Sequence, residues 1–266
     1  MTAPFYTQKI KYFTQNLKGK DFVIGDIHGR YDLVKKALEK SNFNKDKDRL
    51  FCVGDLIDRG VYSEQVDEFL SEPYVHAIRG NHEDMLLELY ADGQEPADAL
   101  LEVYARSIGL FWWLDLSKTK KTKILNKLKE LPLVMEIDTF RGSVGLIHAD
   151  VPLGMIWGDF KLAVEKGSDN VIKEALWGRK RIFQDSQEGV KGVGRVYVGH
   201  TVQEKIKKYG NVVAIDTGAV FNEHLTMVGL ECSTEIINNV QKPTDNIQII
   251  ESEKILLPFT SSQSYI

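Results

Sequence analysis

One unit recurs six times along the sequence and constrains the fold more than any other feature: a short, mostly apolar run that breaks off at glycine and polar residues. Phe22-Val-Ile24 runs into Gly25-Asp-Ile-His28, Leu50-Phe-Cys-Val53 into Gly54-Asp55, and Val75-His-Ala-Ile78 into Arg79-Gly-Asn-His82. Farther along, Val144-Gly-Leu-Ile147 meets His148, Val196-Tyr-Val198 meets Gly199-His200, and Val212-Val-Ala-Ile215 meets Asp216-Thr-Gly218. Runs this short suit strands buried on both faces rather than helices. Polar groups at strand ends, carried by the loops that follow, are how layered α/β proteins build sites. The expectation is a layered α/β protein whose chemistry gathers along one edge of its strands.

Between these runs, apolar residues recur at helical spacing over residues 31–40, 63–71, 83–91, 95–106 and 118–131. The last of these segments carries Ile124, Leu125, Leu128 and Leu131 on one side and lysines on the other, which predicts an amphipathic helix with a solvated lysine face. The aromatic stretch Gly109-Leu-Phe-Trp-Trp-Leu114 is read as core packing. After Cys232, Ser, Thr, Asn and Gln become frequent, which divides the chain into a main domain, residues 1–232, and a C-terminal appendage, residues 233–266. Residues 247–259 alternate and then become apolar, so part of the appendage is expected to add a strand to the same domain, and residues 260–266 to be loose.

Composition removes several function classes. The chain of 266 residues has 34 Lys plus Arg against 38 Asp plus Glu, a formal charge of −4, so no basic excess is available to neutralise a nucleic-acid backbone. No apolar stretch approaches the roughly 18 to 20 residues of a membrane span. Residues 1–20 lack the apolar centre and cleavage site of a secretory signal, so a cytoplasmic location is expected. Cys52 and Cys232 lie in apolar runs and read as small hydrophobes rather than a disulfide.

Six donors stand at or just beyond the ends of the runs: Asp26, His28, Asp55, Asn81, His148 and His200. Carboxylate and imidazole without thiolate suit Mn²⁺, Fe or Zn²⁺ better than a cysteine-rich structural zinc site, and an asparagine oxygen fits as one member of a larger set. These are too many ligands for one catalytic ion that keeps open positions. Two ions sharing a carboxylate use them economically, and paired ions are the recurring device for phosphate-ester hydrolysis. Asp55 is the natural bridge. Asp26 and His28 can face one ion only if the chain turns at the strand end, which Gly25 and Gly29 would allow. Gly80-Asn-His-Glu83 is the most specific signal, since four specified residues occur by chance only about 0.002 times in a chain of this size.

Taken in order, Gly25-Asp-Ile-His-Gly29, Gly54-Asp-Leu-Ile-Asp-Arg-Gly60 and Gly80-Asn-His-Glu83 resemble the motifs of the phosphoprotein phosphatase family within the calcineurin-like metallophosphoesterases. His148 in Ile147-His-Ala-Asp150, Leu176-Trp-Gly-Arg179, Gly199-His-Thr201 and Ile215-Asp-Thr-Gly-Ala-Val220 are similar to the small bacterial and bacteriophage members, and the resemblance runs from about Phe22 to Glu231. It implies a central β-sandwich flanked by helices, a dinuclear site and phosphorylated protein substrates, on Ser or Thr and sometimes Tyr. Mn²⁺ is the ion it favours, with Fe, Zn²⁺ or Mg²⁺ as the others. By position it assigns Asp26, His28 and Asp55 to one metal, and Asp55, Asn81, His148 and His200 to the other. Eukaryotic members usually have His-Gly-Gly where this chain has His148-Ala-Asp150, and no regulatory-subunit surface is evident.

The resemblance also pairs His82 with Asp58, making His82 the general acid that protonates the leaving alkoxide and Asp58 the carboxylate that orients it. Arg59 and Arg179 then hold phosphate oxygens, and a metal-bridging hydroxide attacks phosphorus in line. Glu83 reads as a support for the turn and the helix start, and His76 and His224 as structural or exposed residues. A symmetric dinucleoside tetraphosphatase is the alternative within the same superfamily, and Asp58 tilts the reading away from it. A catalytically silent phosphate-binding module is the reading from another class, against which the intact acid and ligand set argues. Two bound divalent ions would add +4 to the formal −4, giving a chain without basic excess a cleft focused on phosphate.

Overall fold

A computed structural model describes residues 7–221, 224–230 and 249–251. Among them are two sheets. The five-stranded sheet has the order β11 (Ile249–Glu251), β10 (Thr226–Gly229), β2 (Asp21–Ile24), β3 (Arg49–Cys52), β4 (Val75–Ala77). In it β2, β3 and β4 are parallel, whereas β10 runs antiparallel to both β2 and β11. The six-stranded sheet has the order β1 (Ile10–Phe13), β5 (Val134–Thr139), β6 (Gly142–Leu146), β7 (Arg195–Val198), β9 (Val212–Ala214), β8 (Lys207–Tyr209).

Side chains alternate between two cores along each strand, as the two-residue period of a strand requires. Val23 and Phe51 face the other sheet, where they meet Met135, Ile137, Leu146, Tyr197 and Val213. Phe22, Ile24, Leu50 and Cys52 point the opposite way, into a core with Leu33 and Val34 of helix α1 (Tyr31–Lys40) and Leu86 of helix α3 (Asn81–Leu89). Across the molecule, Val196, Val198, Val212 and Ala214 pack against Phe160 and Val164 of helix α7 (Trp157–Glu165) and Ile172 of helix α8 (Asp169–Trp177). The result is a sandwich of two sheets with helices on both outer faces. Burial on both sides is why the strands read as continuous apolar runs. No described helix is long and apolar enough to cross a membrane.

Helix boundaries depart from the sequence expectation for local reasons. The segment 63–71 divides into a 3₁₀ turn, Ser63–Gln65, and helix α2 (Val66–Phe69). Helix α3 begins two residues early because the Glu83 carboxylate accepts the Gly80 N–H at 2.8 Å, so Asn81 and His82 are its first residues. Helix α4 (Asp98–Ile108) starts beyond Pro96, after an extended Ala97, and ends at Gly109, whose φ is 80°. Helix α5 (Phe111–Leu114) occupies the aromatic stretch. Helix α6 (Lys118–Lys129) buries Ile124, Leu125 and Leu128, but its lysine face is partly tied down: Lys120 and Lys123 reach Asp67 at 2.6 and 2.8 Å. Strands β1, β5 and β8 and helices α7 and α8 had no expectation, since polar residues interrupt their apolar runs, and β10 had none although Met227-Val228 breaks off at Gly229. Strand β11 lies within the segment expected to add a strand, whereas residues 260–266 fall outside the described residues.

Candidate metal centre

The loops that follow β2, β3, β4, β6, β7 and β9 converge at one edge of the sandwich and bring every candidate donor together. Of the seven non-glycine residues with positive φ among the described residues, five are candidates from these loops: His28, Asp55, Asp58, Arg59 and His200. Residues with a β-carbon are held in that region only where the surroundings over-determine it, so strain is concentrated where the donors meet. The turn that lets Asp26 and His28 converge is made by His28 itself, at φ 45°, with Gly29 at φ 66°. Gly25 serves another purpose: a β-carbon there would stand 2.5 Å from the Ile215 carbonyl oxygen. At Gly80 a β-carbon would fall 2.2 Å from Asp55 Oδ1, which explains the glycine of the third motif.

Two three-residue clusters share Asp55, each with its donor atoms within 4.8 Å of one another: His28, Asp55 and His82, and Asp55, His148 and His200. In the first, the Nδ1–H of His28 donates to the Ile57 carbonyl at 2.8 Å, which leaves Nε2 facing Asp55 Oδ2 at 3.6 Å. In the second, the Nδ1–H of His148 donates to Val53 O at 2.8 Å, leaving Nε2 at 2.8 Å from Asn81 Oδ1 and 3.3 Å from Asp55 Oδ1. His200 Nδ1 approaches the same asparagine oxygen at 2.8 Å. Asp26 sits beside these clusters rather than within one. Its Oδ2 accepts the His200 N–H at 2.9 Å, and its buried Oδ1 has no hydrogen-bond partner.

Charge makes the same point. Burial opposes ionisation of Asp55, but the imidazoles of His148, His82 and His28 outweigh it and hold this carboxyl well below the usual range. Asp26 is raised, by burial first and then by Asp216 and Asp55. Glu83 is pushed up to about 7 by burial and Asp55, and Asp216 to about 6 chiefly by burial. Burial also lowers His28, to about 3, so its ring is a neutral donor at pH 7. His200 is likewise lowered, to about 2, chiefly by burial, whereas at His148 burial is outweighed by Asp55, which raises it. The neutral lone pairs of His28 and His200, the Asn81 oxygen and the raised acids around Asp55 are a donor set that divalent cations suit. Donors of one such ion stand roughly 3 Å apart when bonds are about 2.1 Å, so the donor spacing also fits. The side chain already nearest the free His28 lone pair is a cation, Arg59, with Nη1 at 2.6 Å from Nε2.

The remaining candidates stand around this centre. His82 Nδ1 is 2.6 Å from Oδ2 of Asp58, a carboxylate with no exposure, and His82 Nε2 is 4.0 Å from Asp55 Oδ2. Arg59 is exposed and lies over the Phe221 ring, and Arg179 Nη1 donates to Thr201 Oγ1 at 3.2 Å. Glu83 accepts the N–H groups of Asp55 and Leu56 at 2.9 and 2.7 Å besides that of Gly80, so it fixes the loop of the bridging carboxylate as well as the helix start. His76 packs against Phe13 and Phe51, away from the centre. Sequence reasoning missed the roles of Asp216, buried beside Asp26, and of Trp112, whose indole N–H donates to Asp58 Oδ1 at 2.8 Å.

The calcineurin-like phosphoesterase family matches residues 22–204 of the chain. This protein belongs to that family. It is therefore a hydrolase, and the metallophosphoesterase match spans the five-stranded sheet's parallel strands and β5, β6 and β7 of the second sheet. Serine/threonine-protein phosphatase 1 of Salmonella typhimurium is 30% identical over 213 residues, 79% of this chain and 91% of that protein. Serine/threonine-protein phosphatase 2 of Escherichia coli is 32% identical over 205 residues, 74% and 87% of the two chains. A symmetrical bis(5'-nucleosyl)-tetraphosphatase of Legionella pneumophila is 38% identical over 122 residues, covering 43% of this metallophosphoesterase and 42% of its own length. Among solved structures, a protein serine/threonine phosphatase from Saccharomyces cerevisiae shares the fold, with a TM-score of 0.63 at 16% identity over 96% of this chain and 87% of that one.

Proposed function

We propose that this metallophosphoesterase hydrolyses phosphoserine and phosphothreonine esters of proteins. The observation that carries the reading is the buried Asp58–His82 pair, 2.6 Å apart, on the residue next to Asn81. A serine or threonine side chain leaves as a strongly basic alkoxide and needs a proton as the ester bond breaks. A nucleoside polyphosphate leaves as a phosphate anion that is stable without one. A dedicated acid is therefore worth more to a phosphomonoesterase than to a tetraphosphatase. The relatives named as serine/threonine phosphatases also match over most of both chains, whereas the tetraphosphatase matches over less than half.

In this reading Asp26, His28 and Asp55 hold one divalent ion, and Asp55, Asn81, His148 and His200 hold the second, with Mn²⁺ as the favoured metal. When bound, the ions supply Lewis acidity and a water of lowered pKa. Arg59 and Arg179 swing from His28 and Thr201 onto phosphate oxygens, orienting the ester for in-line displacement. Asp58 holds the Nδ1–H of protonated His82, whose Nε2–H passes to the leaving oxygen. Product alcohol departs neutral, and His82 is reprotonated before the next turnover. The catalytic domain occupies residues 1–232, with residues 233–266 as its appendage.

The test is kcat/KM for a phosphoserine peptide against that for a dinucleoside tetraphosphate, with Mn²⁺ in both assays. Preference for the peptide by on the order of 10²-fold or more is expected. Preference for the nucleotide would reverse the assignment.

A further inference from the structure

We propose that Trp112 is a positioning residue for the general acid, an inference that rests on His82 being that acid. Asp58 is fully buried, and each carboxylate oxygen has its own partner: Oδ2 the His82 Nδ1 at 2.6 Å, Oδ1 the Trp112 Nε1–H at 2.8 Å. A carboxylate held at one oxygen can still turn about its side-chain bonds. Held at both, it fixes the plane of the imidazole and keeps the Nδ1–H engaged, so that His82 presents Nε2 to the reaction.

The backbone around this contact is built to carry it. Asp58 and Arg59 are consecutive residues at φ 71° and 67°, a conformation unfavourable to any residue with a β-carbon. The Arg59 N–H donates to the Gly109 carbonyl at 3.1 Å, and a β-carbon on Gly109 would come within 2.8 Å of the Arg59 nitrogen. The chain just before α5 is therefore seated on the loop that carries Asp58. At the next residue, the buried Trp113 donates its indole N–H to the Tyr90 hydroxyl at 2.9 Å, and Tyr90 directly follows α3, the helix that begins with Asn81 and His82. Helix α5 thus links the loop bearing Asp58 to the helix bearing His82. Packing alone would be served by a phenyl ring at position 112. The indole N–H is the part of Trp112 that addresses the acid, and without it a buried anionic oxygen lacks a donor.

Trp112→Phe keeps the ring and removes that donor. In the full chain with Mn²⁺, kcat on a phosphoserine peptide should fall roughly 10- to 100-fold with KM changed less than about 3-fold. On p-nitrophenyl phosphate, whose nitrophenolate leaves without a proton, the same preparation should lose less than about 3-fold, which also shows that the variant is folded. His82→Asn should follow the same pattern more steeply. With diamagnetic Mg²⁺ in place of Mn²⁺, the downfield NMR signal of the His82 Nδ1–H should be sharp in the parent chain and broadened by solvent exchange in Trp112→Phe. Equal losses on the two substrates, no loss on either, or an unchanged signal would overturn the proposal. If His82→Asn itself loses both substrates alike, the acid assignment beneath it fails, and the proposal with it.

Discussion

Two buried carboxylates, Asp67 and Asp55, show how this chain separates structure from chemistry. The Asp67 side chain has no exposure and meets two lysines of α6, Lys120 at 2.6 Å and Lys123 at 2.8 Å. Burial pushes its carboxyl up, but the bonds from these lysines outweigh it and hold it below its ordinary value. Asp55 is as deeply placed, yet its nearest positively chargeable neighbours are the imidazoles of His148, His82 and His28, and Asp26, Glu83 and Asp216 crowd the same edge. A structural acid arrives with its counter-charge built into the fold. At the candidate centre only Asp55 has such compensation, from imidazoles; Asp26, Glu83 and Asp216 are held up by burial and by the charge of neighbouring carboxylates, a deficit that divalent ions would fill. The backbones differ too, since Asp67 lies within helix α2 and Asp55 sits at φ 49°.

Removing divalent ions should break this contrast most sharply. Chelation is expected to lower turnover of a phosphoserine peptide by on the order of 10³-fold or more and to be reversed by Mn²⁺. Activity surviving exhaustive chelation would mean that the charge of the acids crowded around Asp55 is met by protein groups alone. His82→Asn comes next, with kcat on the peptide reduced roughly 10²- to 10⁴-fold while bound metal is retained, as metal analysis of the same sample would register. Then comes Arg181→Met. Arg181 pairs with Asp150 at 2.8 Å and donates to Val151 O at 3.0 Å, joining the loop of His148 to the segment of Arg179. Leaving Asp150 buried without its partner should cost about 3 kcal/mol in denaturant melts, and an unchanged midpoint would deny the pair any structural role.

The smallest effect belongs to Asp67→Asn, because Lys120 and Lys123 are partly solvated: about 1 kcal/mol at neutral pH, with turnover unaffected. Its pH dependence has a definite sign. A carboxyl depressed in the folded state contributes stability that is complete above its unfolded pKa of about 3.9 and is lost as pH falls through the lower folded value. The gap between parent and variant should therefore close in acid, below about pH 4. A gap that widens on acidification would show that the lysines do not stabilise the ionised form.

What could be read in advance follows from how local each determinant is. Asp26, His28, Asp55, Asn81, His148 and His200 were visible because each stands at or just past the end of a short apolar run, and strands buried on both faces keep those runs unbroken. The edge strands β1 and β8 carry lysines and were invisible for the opposite reason. The starts of α3 and α4 depended on a side-chain cap from Glu83 and on Pro96, which act over a few residues and move a boundary without changing the element. Trp112 was legible only as an aromatic, since its contact with Asp58 spans 54 positions of sequence and no periodicity encodes it. Asp216 was seen as a strand end, but its place beside Asp26 depends on how β9 and β2, strands of different sheets, face one another.

The claim on which the rest depends is that Asp55 belongs to two metal sites at once. Metal content per chain, measured by elemental analysis after equilibration with Mn²⁺ and removal of free ions, tests it in the parent protein and in Asp55→Asn. The account predicts two ions in the parent and the loss of both, or retention of one weakly held ion, in the variant. Two ions retained by Asp55→Asn, or a single ion in the parent, would contradict it.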